Sequence, residues 1–184
     1  MTSLPHSVLI TGANKGVGLA TVAAVLAARD DTFVFLGSRH AHGDDARGRL
    51  LADHPAWASR LQVVEIDVSQ DDSVAAAQVA VARQLAAGST LSAIINNAGV
   101  GGDRAMSEVF NVNTRGPRRV VEAFVGLLEP SGGRIVNISS ASGPTFVSGC
   151  SAERKRQLTH AAVTLEQIDA LLDECVAIDA AGES

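Results

Sequence analysis

Hydrophobic and polar positions along the chain fall into a repeating pattern. Short runs rich in β-branched residues, at 7–10, 32–36, 61–66, 91–95 and 134–138, alternate with longer Ala-rich or charged stretches. Runs that stay apolar on successive residues suit strands buried on both faces, and the stretches between them are long enough to be helices. The pattern predicts five strands at those runs and helices over 16–29, 44–54, 71–87 and 107–128. The third helix has Ser69 as its expected N-cap and acidic residues in its first turn. Repeated strand–helix–strand units with right-handed crossovers make an α/β fold, a doubly wound parallel sheet in the order 3-2-1-4-5.

After Ser140 the character changes. Residues 143–151 read as a loop and 152–158 as a short charged segment, while 164–176 reads as a helix, with Thr164 and Gln167 spaced as a capping box and leucines at helical intervals. No linker composition and no internal repeat appear, so the 184 residues are expected to be a single domain, with 150–181 a helical insertion within it. Hydrophobic residues make up 46% of the chain but aromatic ones only 3%, so the core must be built from Ala, Val, Leu and Ile. A net charge of −5 argues against nucleic acid or an anionic membrane as partner, since both ask for a basic face. Without an apolar run of about 20 residues or a basic, apolar leader, the expectation is a soluble, cytoplasmic protein. Cys150 and Cys175 have no second Cys or His at ligand spacing, so plain thiols and no metal site are expected.

The most informative chemistry follows the first strand, which runs into Thr11-Gly12 and then Gly16-Val17-Gly18 at the opening of a helix. Glycine is needed where a backbone turns tightly against a pyrophosphate and leaves helix N-terminal amides to bind its charge. Dinucleotide sites that take NAD place an acid about 20 residues further on, where it bonds the ribose hydroxyls. Here that position reads Gly37-Ser38-Arg39-His40. Arg39 can chelate a 2′-phosphate, Ser38 can add a hydroxyl, and Lys15 supplies a second cation on the same side, so NADP(H) is the expected cofactor.

These segments, together with Asn96-Asn97-Ala98-Gly99, Asn111-Val112-Asn113 and Gly133-Arg134-Ile135-Val136-Asn137-Ile138-Ser139-Ser140, resemble in order and spacing the short-chain dehydrogenase/reductase family, and within it the carbonyl-reductase-like branch. The resemblance implies a Rossmann-like NAD(P)-binding domain, with Gly12, Asn14, Lys15, Gly16, Val17, Gly18, Ser38 and Arg39 at the cofactor. It further implies that Asp67 bonds the adenine amino group with the Val68 backbone beside it, and that the Asn96–Gly99 motif mainly ties the central strands together, with Gly99 passing close to the cofactor ribose and Asn96 and Ala98 as cofactor neighbours. The implied activity is NADPH-dependent reduction of a small-molecule carbonyl compound by hydride transfer. By the same resemblance Ser140 hydrogen-bonds the substrate carbonyl, and Asn113 helps to hold a proton-relay water through a kink in its helix.

One part of the family pattern is missing. The chain has no tyrosine, and its only lysines are Lys15 and Lys155, whereas the family completes its site with a Tyr-x-x-x-Lys pair after the serine. The carbonyl-reductase-like branch inserts helices before that pair, and residues 150–181 resemble the insertion, so the pair is expected shortly beyond Ser184. Neither Lys155, in a charged segment, nor His160 is expected to replace it. The expectation is therefore an incomplete domain with impaired catalysis and an uncovered sheet edge beside the fifth strand, open to self-association. The alternatives are a non-catalytic NADP(H)-binding protein and an interaction subunit.

Overall fold

The computed structural model describes residues 6–39, 42–85, 87–102 and 104–182. Five parallel strands, β1 (His6–Ile10), β2 (Thr32–Ser38), β3 (Leu61–Glu65), β4 (Ala93–Asn96) and β5 (Arg134–Asn137), form one sheet in the order β3-β2-β1-β4-β5. The doubly wound topology expected from the pattern is the one found. Alternation along the strands sorts side chains to two cores. Val8, Ile10, Val34 and Leu36 pack with Val22 and Leu26 of α1 (Gly16–Ala28) and Ala46 of α2 (His42–Asp53). Leu9, Phe35 and Ile94 face the other way, onto Val74, Ala77 and Val81 of α3 (Asp71–Gln84).

The expected helix over 107–128 is divided. α4 (Met106–Phe110) passes into a π-helical turn, Asn111–Arg115, then α5 (Gly116–Phe124) and a 3-10 turn, Val125–Leu127. α5 adds Val120 and Phe124 to the second core. Each such side chain contributes about 1.5–3 kcal/mol on burial.

Two local expectations do not hold. Residues 143–151, expected as a loop, are mostly helix, α6 (Ser142–Gly149). Its start is supported by Ser140 Oγ, which accepts from Ser142 N at 3.1 Å, and by Thr145 Oγ1, which donates to the Ala141 carbonyl at 3.0 Å. Pro144 is harmless there because the first turn needs no amide. Ser69 does not cap α3. Gln70 occupies the N-cap position without a side-chain capping bond, while Ser69 Oγ donates to Asp67 Oδ1 at 2.6 Å.

The charged segment forms α7 (Ala152–Thr159), capped by Ser151, and the last helix, α8 (Leu165–Ala181), has the expected Thr164–Gln167 capping box. α8 buries only Leu172 and is held by charge: Asp173 pairs with Arg115 at 2.6 Å, Asp169 with Arg118 at 2.9 Å and Glu174 with Arg154 at 2.7 Å. Beyond β4, β5 has no second neighbour among the described residues, and its residues are exposed, with Ile135, Val136, Ile138 and the nearby Phe146 all open. The expected uncovered edge and apolar flank are present among the described residues.

Candidate functional site

Because all five strands are parallel, their carboxyl ends lie along one edge, and the cofactor and catalytic residues singled out in the sequence end a strand, as Ser38 and Asn96 do, or follow one. The turn after β1 is built by close approach. Gly12 has φ 62°, and a Cβ on it would lie 2.6 Å from Ala98 Cα. One on Gly18 would come within 2.4 Å of Asn97 Nδ2. Gly16, with φ 55°, instead meets nothing within 4 Å and is exposed. The turn is therefore packed on its inner side and open on its outer one. Lys15 is the N-cap of α1 and makes no side-chain capping bond, so the first amides of the helix, including that of the exposed Val17, are left for an external anion.

The turn is fixed to β4 through Thr11, a residue absent from the sequence-derived site. Its buried Oγ1 accepts from the amides of Asn97 and Ala98, both at 3.1 Å. Asn97 Nδ2 returns the contact, donating to the carbonyls of Thr11 at 2.9 Å and Gly12 at 3.0 Å. Asn96 is 3% exposed and donates to Asn137 Oδ1 at 2.9 Å across the β4–β5 register, while its own Oδ1 is buried with no partner among the described residues. The four-residue motif thus ties the central strands together.

Arg39 is exposed just after β2, but Ser38 is 2% exposed and its hydroxyl donates, at 3.4 Å, to the Arg39 carbonyl. The two residues do not present themselves alike. His40 lies outside the described residues. Asp67, two residues past β3, accepts at Oδ1 from both the amide and the hydroxyl of Ser69. Burial acts to raise its pKa, but those two bonds and the positive charges of Arg39 and Arg119 outweigh it, and the carboxyl is held below its ordinary value. The Val68 carbonyl accepts from Arg119 Nη1 at 2.6 Å, and Arg119 Nη2 also reaches Asn111 Oδ1, fixing this loop to the π-helical turn.

Asn113 sits inside that turn. Its amide makes a two-way bond with Val100, accepting from the nitrogen and donating to the carbonyl at 2.8 Å each. The expected kink is therefore a π-bulge, an arrangement frequent at functional sites. Gly99 lies against it, and a Cβ on Gly99 would sit 3.5 Å from Asn113 Oδ1. Ser140 follows β5 and is exposed, and its hydroxyl donates to Ser142 Oγ at 3.1 Å. Ile138 N donates to the Asn96 carbonyl at 2.9 Å, which carries the chain toward Ser140 from beside the β4 loop. His160 accepts the Ala162 amide at Nδ1, a local turn contact. Among the described residues no group of three metal-ligating side chains occurs, and no helix is long and apolar enough to cross a membrane.

A family model for short chain dehydrogenases matches residues 6–152. The chain belongs to the short-chain dehydrogenase family. The chain is 28% identical over 184 residues to Carbonyl reductase [NADPH] 1 of Pongo abelii, covering 96% of the chain and 64% of that protein. It is 32% identical over 133 residues to the short-chain dehydrogenase/reductase eupG of a Phoma species, covering 65% of the chain and 47% of that protein. It therefore spans less than two thirds of the length of either relative. Among solved structures, an NADPH-bound carbonyl reductase from chicken fatty liver superposes with a TM-score of 0.63 at 31% identity, covering 77% of this chain and 59% of that one. Menthone neomenthol reductase of Mentha piperita, at 23% identity, shares the fold with a TM-score of 0.75 over 99% of this chain and 76% of its own.

Proposed function

We propose that the chain is the cofactor-binding part of an NADPH-dependent short-chain oxidoreductase that reduces a small carbonyl compound by hydride transfer. The observation that carries the reading is the glycine turn, closed inward by Gly12 and Gly18 and open outward at Gly16, with Lys15 exposed in it and Arg39 exposed after the neighbouring β2, whose Gly37 carbonyl accepts from the Ala13 amide. The residues fit the cofactor. Uncapped α1 amides would bind the pyrophosphate, Lys15 and Arg39 the 2′-phosphate, Oδ2 of Asp67 with the Val68 amide the adenine, and the Ala98–Gly99 backbone the ribose. Bound NADPH supplies the hydride. The names of the relatives, two of which are NADPH-dependent or NADPH-bound carbonyl reductases, support the same cofactor and substrate class.

Ser140 is proposed to redirect its hydroxyl proton from Ser142 to the substrate carbonyl oxygen. Asn113 acts through backbone, because its amide is committed to Val100 and the π-turn opens the normal helical ladder, leaving carbonyls to hold a water. These 184 residues contain no tyrosine, and loss of a positioned general acid typically costs about 10²–10⁴-fold in rate. The chain by itself should therefore bind NADP(H) with little turnover. Intact mass and carbonyl-dependent NADPH oxidation, measured on the protein purified from its source, test this together. A mass well above 18.9 kDa with turnover supports a reductase, whereas a mass of 18.9 kDa without turnover leaves only the cofactor-binding role.

The exposed β5 edge favours a second reading, an interaction subunit that pairs through Ile135, Val136 and Ile138. Sedimentation as a monomer at all accessible concentrations would count heavily against it.

A further inference from the structure

We propose that Arg49 is a third cation of the 2′-phosphate subsite and helps to select NADP(H) over NAD(H), an inference that rests on the NADP(H) reading above. Arg49 lies on α2 and is exposed, and its Nη2 donates to the Asn14 carbonyl at 3.1 Å, a contact across 35 residues. An arginine on a solvated helix face ordinarily pairs with carboxylates one turn away. Asp45 and Asp53 occupy both such positions, yet no ion pair joins Arg49 to either among the described residues, and its guanidinium reaches the glycine turn instead. Its neighbour Arg47 behaves differently, donating to the carbonyls of Leu61 and Ala58 and so serving the packing of α2 on β3.

The contact sets the guanidinium beside Asn14, the residue immediately before Lys15 and two before Gly16, where a Cβ would meet nothing. One bond to a neutral carbonyl leaves the other N–H donors of the fork able to take phosphate oxygens. Ser38, the hydroxyl expected to assist Arg39, is buried and bonded to a carbonyl, so the subsite lacks a second exposed partner from β2. Lys15 in the turn, Arg49 bonded to it and Arg39 just after β2 are all exposed, and Asp44 and Asp45 in the first turn of α2 and Asp67 supply opposing charge. A 2′-phosphate relieves the repulsion among the cations, whereas the hydroxyl of NADH does not.

The test is equilibrium binding of NADPH and NADH to the wild type, Arg49→Gln, Arg49→Lys and Arg39→Asp, each checked for folding by circular dichroism. Arg49→Gln should weaken NADPH about tenfold and NADH less than about twofold, with Arg49→Lys recovering part of the loss. Equal losses for both cofactors would show that Arg49 only shapes the turn, and no loss would remove it from the subsite. Either result would overturn the proposal. A wild type that prefers NADPH, loses the preference in Arg39→Asp and keeps it in Arg49→Gln defeats this inference alone. A folded wild type without preference for NADPH defeats the underlying reading with it.

Discussion

Thr11→Val removes one hydroxyl from the junction between the glycine turn and the loop after β4. Thr11 is 1% exposed, and its Oγ1 accepts from the amides of Asn97 and Ala98 at 3.1 Å. Valine fills the same space but offers no acceptor, so two backbone donors lose their partner. Each such loss costs about 1–3 kcal/mol, and since both residues are half-buried and water can reach part of the way, about 2–4 kcal/mol in total is expected. That is a large share of the roughly 5–15 kcal/mol by which domains are stable. Thr11→Ser keeps the acceptor and deletes a methyl group, at about 1 kcal/mol. Urea unfolding with an unchanged slope should therefore rank wild type above Thr11→Ser above Thr11→Val, with the valine variant melting roughly 4–16 °C lower than wild type. NADPH affinity should fall in the same order, because Ala98 and Gly99 border the proposed ribose site. A valine variant as stable as the serine variant would refute the reasoning that the hydroxyl, rather than packing, holds this junction.

Arg39→Asp should raise the dissociation constant for NADPH far more than that for NADH, and equal losses in a titration of both would contradict the 2′-phosphate assignment. Ser69→Ala removes the hydroxyl bond that helps to hold the Asp67 carboxyl below its ordinary value, so the Asp67 titration followed by NMR should move upward. The sign for stability follows: a carboxyl depressed on folding stabilises above its unfolded pKa of about 3.9 and loses that contribution as pH falls through its lower folded value. The amides of α7 and α8 should exchange with solvent before those of β1 and β2, and faster still in 1 M salt, where screening extends to within about 3 Å. α8 has one buried residue and is held largely by exposed ion pairs and by Asp179, which accepts from the Met106 amide, so equal protection in the strands and α8 would contradict that account.

Much of the fold was legible because its signals are local: the strand runs stay apolar on successive residues and are separated by helix-length stretches. Val8, Ile10, Val34 and Leu36 versus Leu9 and Phe35 are split between the two faces that the sheet presents. The capping box at Thr164 was readable for the same reason, since both partners lie within four residues. α6 was missed because its glycines, Pro144 and hydroxyl residues carry a turn signature, and only the local bonds of Ser140 and Thr145 reveal a helix. Ser69 looked like a cap, but the helix begins one residue later, with Gln70 at the N-cap position, and the Ser69 hydroxyl donates to Asp67 and accepts from Gln70 Nε2. Thr11 could not have been chosen from spacing alone, since its partners lie 86 and 87 residues away. Arg49 was hidden by Asp45 and Asp53, which give it the look of an ordinary solvated helix face.

The central claim is that the open glycine turn of this chain binds NADP(H), and calorimetric titration of the folded protein with NADPH and then NADH tests it most directly. The account predicts saturable binding of one NADPH per chain, with NADH at least tenfold weaker for want of the charge-assisted 2′-phosphate contacts, a factor that corresponds to about 1.4 kcal/mol. A folded chain that binds neither, or takes both equally, would contradict it.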